Sequence, residues 1–258
     1  MAFTTDSGVS LSQTIGHLRT RMRQGLAAAR RTPALVLLAV AIVAYNALMG
    51  LVAEPVRDVT YVPVNLAFLG LVAWGAIPRL GLARADLGLD QSRLRRSLKV
   101  GLLVGALVLL PLFLLIIVPG VSGNDTATSR LTDASVGGLI YQTAVRIPLG
   151  TALFEELLFR GLLYGAFLRV SGHRGAILGS SAVFGVWHVR PTHELLTETG
   201  TLTAEWAMGL AIAGVVVATF AGGLLFGWLR YKTGHVAGGI VAHGLINSLS
   251  ATAAHLSA

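Results

Sequence analysis

Seven long apolar runs constrain the fold of this chain more than any other feature. They cover approximately residues 34–53, 61–77, 97–119, 135–168, 175–189, 206–229 and 235–256. A helix needs about 20 apolar residues to cross the hydrocarbon core of a bilayer. We therefore predict an all-α, polytopic transmembrane bundle of about seven spans. The fourth run is too long for one span, so we expect Pro148 to break or kink it, or its start to lie along the membrane surface.

Composition supports this fold class and excludes several functions. Hydrophobic residues make up 54% of the chain and charged residues 12%, with a mean hydropathy of +0.72, whereas about a quarter of a soluble domain is charged. The chain has no cysteine, which excludes disulfides, thiolate metal sites and cysteine nucleophiles. The net charge of +8 lies in short loops between apolar runs, so we expect the lipid bilayer, and no nucleic acid, as a partner.

The positions of Lys and Arg predict the orientation. With the N-terminus in the cytoplasm, most basic residues between the runs lie inside, and only four lie outside: Arg57, Arg130, Arg146 and Arg190. This bias follows the positive-inside rule. We expect a multi-pass protein of the cell membrane, with its N-terminus in and its C-terminus out. The 18 Arg against 2 Lys, in a chain rich in Ala, Gly and Leu, indicates a bacterial inner or plasma membrane.

Three segments follow from this pattern. Residues 1–32 form a basic cytoplasmic segment, 33–133 hold the first three spans and a basic cytoplasmic loop, and 134–258 hold the remaining membrane core. The stretch Leu80–Lys99 is either an amphipathic helix on the inner leaflet or a solvated connector. Glycines four residues apart predict close helix packing, at Gly101/Gly105, Gly161/Gly165, Gly175/Gly179 and Gly223/Gly227.

Charged residues inside the fourth run are the first sign of chemistry. Glu155, Glu156 and Arg160 lie within six residues of one another in an apolar segment, where an unpaired charge costs several kcal/mol. Glu156 and Arg160 are four residues apart and share a helix face, so we predict an ion pair. Glu155 points about 100° away and is left as a free carboxylate facing the bundle interior. The alternative is a structural acid bonded to a neighbouring helix.

Two histidines and an asparagine lie at a similar depth. Counted from the nearest basic residues at the inner boundary, Glu155, His188, His243 and Asn247 are 11 to 15 residues into their segments. At about 1.5 Å per residue, they lie roughly 16–23 Å from that boundary. Taken alone, either histidine is more often a packing residue. Together, three helices bring these four side chains to one level, which predicts a site.

The residue types at this level favour hydrolysis. A carboxylate with a nearby histidine can activate water for attack on a carbonyl, and a second histidine with an asparagine can stabilise the oxyanion. Glu155, His188 and His243 could instead hold zinc. His193–Glu194 begins like a zinc-binding helix motif, but the required second histidine is Thr197, so we predict a polar outer loop there. Four histidines near segment boundaries are expected to be solvated or interfacial: His17, His173, His235 and His255.

These motifs resemble the CPBP family of intramembrane proteases, which includes CAAX prenyl endopeptidases and bacteriocin-immunity proteins. The family pattern reads EExxxR, FxxxH and HxxxN or HxxxD. Here it is Glu155-Glu156…Arg160, Phe184…His188 and His243…Asn247. The resemblance covers roughly residues 135–250. It implies that residues 134–258 form the catalytic core, and that supporting positions fall at Glu156, Arg160 and Phe184.

The resemblance also implies an activity. Glu155 with help from His188 would activate water, and His243 with Asn247 would form the oxyanion site. We expect a glutamate-dependent intramembrane endopeptidase that needs no cofactor, with zinc as the alternative. Its substrate would be a membrane protein or peptide. Two other functions stay open: a non-proteolytic scaffold or immunity protein on the same fold, and a proton- or metal-coupled transporter.

Overall fold

The computed structural model describes residues 11–117, 135–200, 202 and 204–256, and these residues are almost entirely helical. Within them lies no β-strand, only an isolated bridge between Leu89 and His235. The predicted all-α fold class is therefore confirmed. The helices are α1 Leu11–Met49, α2 Glu54–Leu80, α3 Leu94–Ile117, α4 Val136–Tyr141, α5 Tyr164–Trp187, α6 Val189–Thr199, α7 Glu205–Thr233 and α8 Ala237–Leu256. Arg130 and the predicted boundary at 133/134 lie outside the described residues.

Three of these helices are long and apolar enough to cross a membrane. They are Ser12–Met49 in α1, Glu54–Leu80 and Glu205–Thr233. Large apolar side chains on them face outward, including Leu37 and Trp74, which are 68% and 78% exposed. Such side chains require lipid as their solvent, so the chain is a membrane protein. The count of seven spans and the orientation stay predictions. α1 runs unbroken across the predicted boundary at residue 32/33.

The centre of the bundle is a continuous helical stretch that begins with α4. It carries two π-helical segments, Gln142–Leu153 and Glu156–Leu163, and leads directly into α5. The predicted break at Pro148 is wrong, because the proline lies inside the first π-helical segment; the alternatives of a kink there, or of a start along the membrane surface, stay predictions. The interruption falls at Gly172 instead, where φ is 71°, a conformation that only glycine adopts readily. π-helical turns inside helices are frequent at functional sites.

Two of the four predicted glycine pairs bring helices close together. Gly161 and Gly165 instead face the α2–α3 loop, and Gly175 and Gly179 face Ser171 and Phe167 of their own helix. The Cα atoms of Gly101 and Gly105 face Gly238 and Ala242, which packs α3 onto α8. A Cβ added at Gly101 would lie 2.3 Å from the carbonyl oxygen of Gly238. On the other side, Gly223 contacts Ser181 and Gly227 contacts Ile177, which packs α7 onto α5. Small residues at these positions let the backbones approach closely.

The connection between α2 and α3 is a loop anchored to the bundle. Residues 81–90 form turns, and Gln91–Arg93 form one 3₁₀ turn, so the predicted amphipathic helix is absent. The loop is also more than a solvated connector. Arg230 donates to the carbonyl oxygens of Ala85 and Asp86 at 2.8 and 3.0 Å, and Arg169 donates to the Asp86 carboxylate at 3.0 Å. These bonds tie the loop to α5 and α7.

Two further predictions about polar segments are wrong. The predicted outer loop at His193–Glu194 is helix α6, because Glu194 pairs along the helix with Arg190 and across to Arg57. His235 is buried, with 5% of its surface exposed, and its Nδ1 accepts a hydrogen bond from the Ala237 amide at 3.0 Å. Burial lowers the pKa of His235 below its usual value of 6.5.

Candidate active site

The predicted ion pair is present at the centre of the bundle. Arg160 Nη1 lies 3.0 Å from Glu156 Oε1, and the two side chains are 1% and 0% exposed. The guanidinium also lies 4.1 Å from the centre of the Phe184 ring and 5.2 Å from that of Phe226. Aromatic faces stabilise a cation in this geometry. A buried charge needs this degree of pairing to be tolerated.

His243 joins this pair from α8. Its Nδ1 lies 3.2 Å from Glu156 Oε1, and because a carboxylate only accepts, Nδ1 is the donor. The ring stacks on Phe226 with 5.3 Å between centroids. Its other nitrogen, Nε2, faces Glu155 Oε2 at 3.8 Å. The two glutamates therefore flank one imidazole, a contact that the separation of their helix faces did not predict.

Glu155 is oriented by a residue outside the predicted set. Trp187 Nε1 donates to Glu155 Oε1 at 3.2 Å. The other oxygen, Oε2, is buried and has no hydrogen-bond partner among the described residues. Rings of Tyr45, Phe154 and Phe159 surround the indole at 5.6 to 6.3 Å between centroids. This packing fixes the donor, so one carboxylate oxygen is held by the indole and the other is left without a hydrogen-bond partner in the described structure.

His188 lies at the C-terminal end of α5, next to Trp187. Its Nδ1 donates to the Phe184 carbonyl oxygen at 2.8 Å, which leaves Nε2 with the lone pair in the neutral ring. Phe184 packs edge-on against this imidazole with 4.6 Å between centroids. Within the described structure His188 makes no hydrogen bond to Glu155. Both residues nevertheless line the same cavity.

That cavity has a volume of about 660 Å³ and reaches from the ends of α1 and α2 to Glu155. Its walls carry many polar groups, including Asn46, Asn65, Tyr61, Thr151 and Arg146. Tyr61 and Thr151 share a hydrogen bond of 3.2 Å, and Asn65 donates to the Gly150 carbonyl oxygen at 2.9 Å. A polar cavity of this size has room for water or a small ligand beside a carboxylate that is otherwise buried.

Asn247 is not joined to the other predicted catalytic residues, and the described residues contain no clear metal-ligand group. Asn247 is half-buried one turn beyond His243 on α8; it does not line the cavity and forms no hydrogen bond with the other three predicted residues in the described part of the chain. Across residues 11–117, 135–200, 202 and 204–256, no group of three His, Cys, Asp or Glu side chains is arranged to hold a metal ion. Zinc stays the untested alternative for Glu155, His188 and His243.

The sequence reasoning missed a network that joins α1 to this site. Asn46 Nδ2 donates to the carbonyl oxygen of Trp187, and its Oδ1 accepts from Arg190 Nε at 3.1 Å. Arg190 and Arg57 both pair with Glu194. Asn46 and Asn65 are buried amides in apolar helices, where polar side chains are costly. Because of this cost, an asparagine inside an apolar run could have been identified from the sequence as a candidate site residue at both positions.

A comparison with known protein families gives one match. Residues 137–249, a little under half of the chain, match the model of the family described as type II CAAX prenyl endopeptidase Rce1-like. The matched segment contains all four predicted catalytic residues and the supporting ones. No curated protein and no solved structure matches the chain. Residues 137–249 are therefore similar to the type II CAAX prenyl endopeptidase Rce1-like family.

Proposed function

We propose that this protein is an intramembrane endopeptidase that hydrolyses a peptide bond of a membrane-associated protein or peptide, with Glu155 as general base. The observation that supports this most is the carboxylate of Glu155 itself. It is 5% exposed, held through one oxygen by Trp187, and lines a cavity of about 660 Å³. A positioned carboxylate beside water is the arrangement that general-base catalysis requires.

The proposed reaction begins with water that reaches Glu155 through the cavity. The Glu155 carboxylate takes one proton, and the remaining hydroxide attacks the carbonyl carbon of the substrate. His188 assists through Nε2, the nitrogen left free by the bond from Nδ1 to Phe184. The same proton then passes to the leaving amine, which breaks the C–N bond and returns Glu155 to its ionised form. No covalent enzyme intermediate and no cofactor is needed.

His243 and Asn247 are proposed to stabilise the oxyanion. Glu156 accepts from His243 Nδ1 at 3.2 Å, so in its protonated form the ring directs Nε2–H into the gap beside Glu155. A donor fixed before the reaction costs no reorganisation when charge develops. Asn247 has no hydrogen-bond partner in the described part of the chain. Its side-chain amide supplies a second donor, beside His243, once substrate is bound.

Glu156 and Arg160 are proposed to act through His243 and not on substrate. The Arg160 guanidinium compensates the Glu156 charge, and Glu156 in turn fixes the tautomer and direction of His243. A carboxylate that orients a functional imidazole is a recurring device in catalytic sites. We place the protein in a cell membrane as a multi-pass protein, consistent with its three long apolar helices.

Substrate proteomics in cells tests this function. Cells that carry Glu155→Gln should lose a set of C-terminal or internal cleavage products that cells with the wild-type protein contain. Glu205→Gln is the matched control, because Glu205 is exposed at the start of α7 and should leave those products intact. Equal cleavage products in the Glu155→Gln and wild-type cells, with equal protein levels, would reject the protease.

A further inference from the structure

A second cavity lies at the opposite end of the α1–α2 pair from the proposed active site. It has a volume of about 440 Å³ and is lined by Arg23, Leu26, Ala27, Arg30, Arg31 and Arg79. The active-site cavity is lined by the last turns of α1 and the first turns of α2. This arginine groove uses the N-terminal half of α1 and the last turn of α2. The two cavities share no lining residue.

The four positive charges of the groove are not compensated within the described structure. None of these guanidinium groups forms an ion pair with a described carboxylate. Arg79 donates only to the Gly75 carbonyl oxygen of its own helix, at 2.7 Å. Arg31 Nη2 approaches Gly81, at the C-terminal end of α2, whose dipole supplies about half a negative charge. That partial charge offsets only a small fraction of the positive charge of the four guanidinium groups.

The shape and position of the groove define what would fill it. Leu26 and Ala27 give it an apolar wall, so the ligand carries an apolar part beside its anionic group. The groove lies where the apolar part of α1, from about residue 34, gives way to basic residues, and where α2 ends at Leu80. This is the level at which the phosphates of a bilayer meet a spanning helix.

We propose that this groove binds the phosphate of an anionic phospholipid headgroup, with the acyl chains running along the apolar surfaces of α1 and α2. Guanidinium groups bind phosphate through paired, parallel hydrogen bonds. The bound lipid fastens α1 to α2 at the end away from the cavity. The proposal does not depend on proteolysis, because none of the groove residues contacts the cluster around Glu155.

Lipid binding by the full-length protein tests the proposal directly. The purified protein in micelles of a zwitterionic detergent is titrated with phosphatidylglycerol, and with phosphatidylcholine in parallel, and the bound lipids are counted by native mass spectrometry. The wild-type protein should retain one phosphatidylglycerol at mole fractions at which phosphatidylcholine is lost. In Arg30→Gln/Arg79→Gln the apparent affinity for phosphatidylglycerol should fall on the order of tenfold or more, given the contribution of each basic residue near a membrane surface.

A matched variant separates this groove from the general positive charge of the protein. Arg95→Gln/Arg96→Gln removes the same charge from exposed positions on α3 and should leave phosphatidylglycerol binding within about twofold of wild type. An equal loss in both variants, or no preference of the wild-type protein for phosphatidylglycerol, would overturn the proposal. Displacement of the lipid by inorganic phosphate at equal concentration would overturn the assignment to a lipid. Circular dichroism confirms that each variant keeps its helix content.

Discussion

Replacing Trp187 with phenylalanine should slow catalysis and leave the protein folded. The indole N–H is the only donor to Glu155 Oε1 among the described residues, at 3.2 Å. A phenyl ring keeps an aromatic group between Tyr45, Phe154 and Phe159 and removes that donor. The carboxylate then stays buried but loses the bond that fixes its direction toward the reacting water.

The size of the effect follows from the kind of bond that is lost. A hydrogen bond to a charged group contributes about 1.5–3 kcal/mol. If the whole contribution is needed to hold Glu155 in the transition state, kcat falls roughly 10- to 150-fold, since 1.36 kcal/mol corresponds to a tenfold change in rate. KM should change little, because Trp187 holds the base and is not proposed to bind the scissile bond.

The assay measures kcat and KM of the purified, reconstituted protein on a peptide that carries the cleavage site found by proteomics. Trp206→Phe is the matched control, because Trp206 lies on α7 and is 72% exposed; its kinetics should equal those of the wild-type protein. The thermal unfolding temperature of each variant is measured in the same detergent. A kcat of Trp187→Phe within twofold of wild type, or a loss of rate that only follows a loss of folded protein, would refute this reasoning.

Three further predictions concern the Glu156–Arg160–His243 cluster and the buried residue His235. Arg160→Met leaves the charge of Glu156 buried without its partner and should lower the free energy of unfolding by about 3–5 kcal/mol, measured by denaturant titration in detergent. Gly239→Ala places a Cβ 2.3 Å from Glu156 Oε2, so it should displace that carboxylate and reduce the cleavage rate, whereas Gly214→Ala, with no atom within 4 Å of the new Cβ, should not. Burial lowers the pKa of His235, so the unfolded chain binds more protons than the folded one. The stability from this residue is present above about pH 6.5 and is lost as the pH falls, and His235→Gln should flatten the dependence of the unfolding temperature on pH over that range.

The sequence was sufficient for the long apolar helices and for one contact between charges. Apolar runs of spanning length predict helices because backbone hydrogen bonds must be satisfied within lipid, and each described run is helical. The Glu156–Arg160 pair followed from a spacing of four residues. The glycine spacings predicted close packing, and Gly101 and Gly223 do lie against neighbouring helices. These features depend on local spacing and on the cost of unpaired polar groups in an apolar environment.

The rest of the site depends on contacts between distant parts of the chain. Asn46 reaches the Trp187 carbonyl across 141 positions of sequence, and His243 reaches Glu156 across 87. No periodicity of one helix specifies which side chain of another helix it will meet. The loop between α2 and α3 is a second example, because its shape is set by Arg169 and Arg230 from later helices. Pro148 is a third example. Proline usually ends a helix, but here it lies within a π-helical segment and the helix continues.

The family match and the lining of the cavity involve different parts of the chain. The family match covers residues 137–249, whereas the cavity that leads to Glu155 is also lined by Tyr45, Asn46 and Tyr61 from α1 and α2. These two helices therefore form part of the wall of the cavity that reaches Glu155. We expect them to determine which membrane peptide is cut, while the matched segment supplies the hydrolytic chemistry.

The most direct test of the central claim is the single-turnover rate of peptide hydrolysis by purified Glu155→Gln. A general base contributes about 10²- to 10⁴-fold to a rate, so the variant should be slower by at least about 100-fold, with an unchanged unfolding temperature. A rate within threefold of wild type would contradict the claim that Glu155 activates the attacking water.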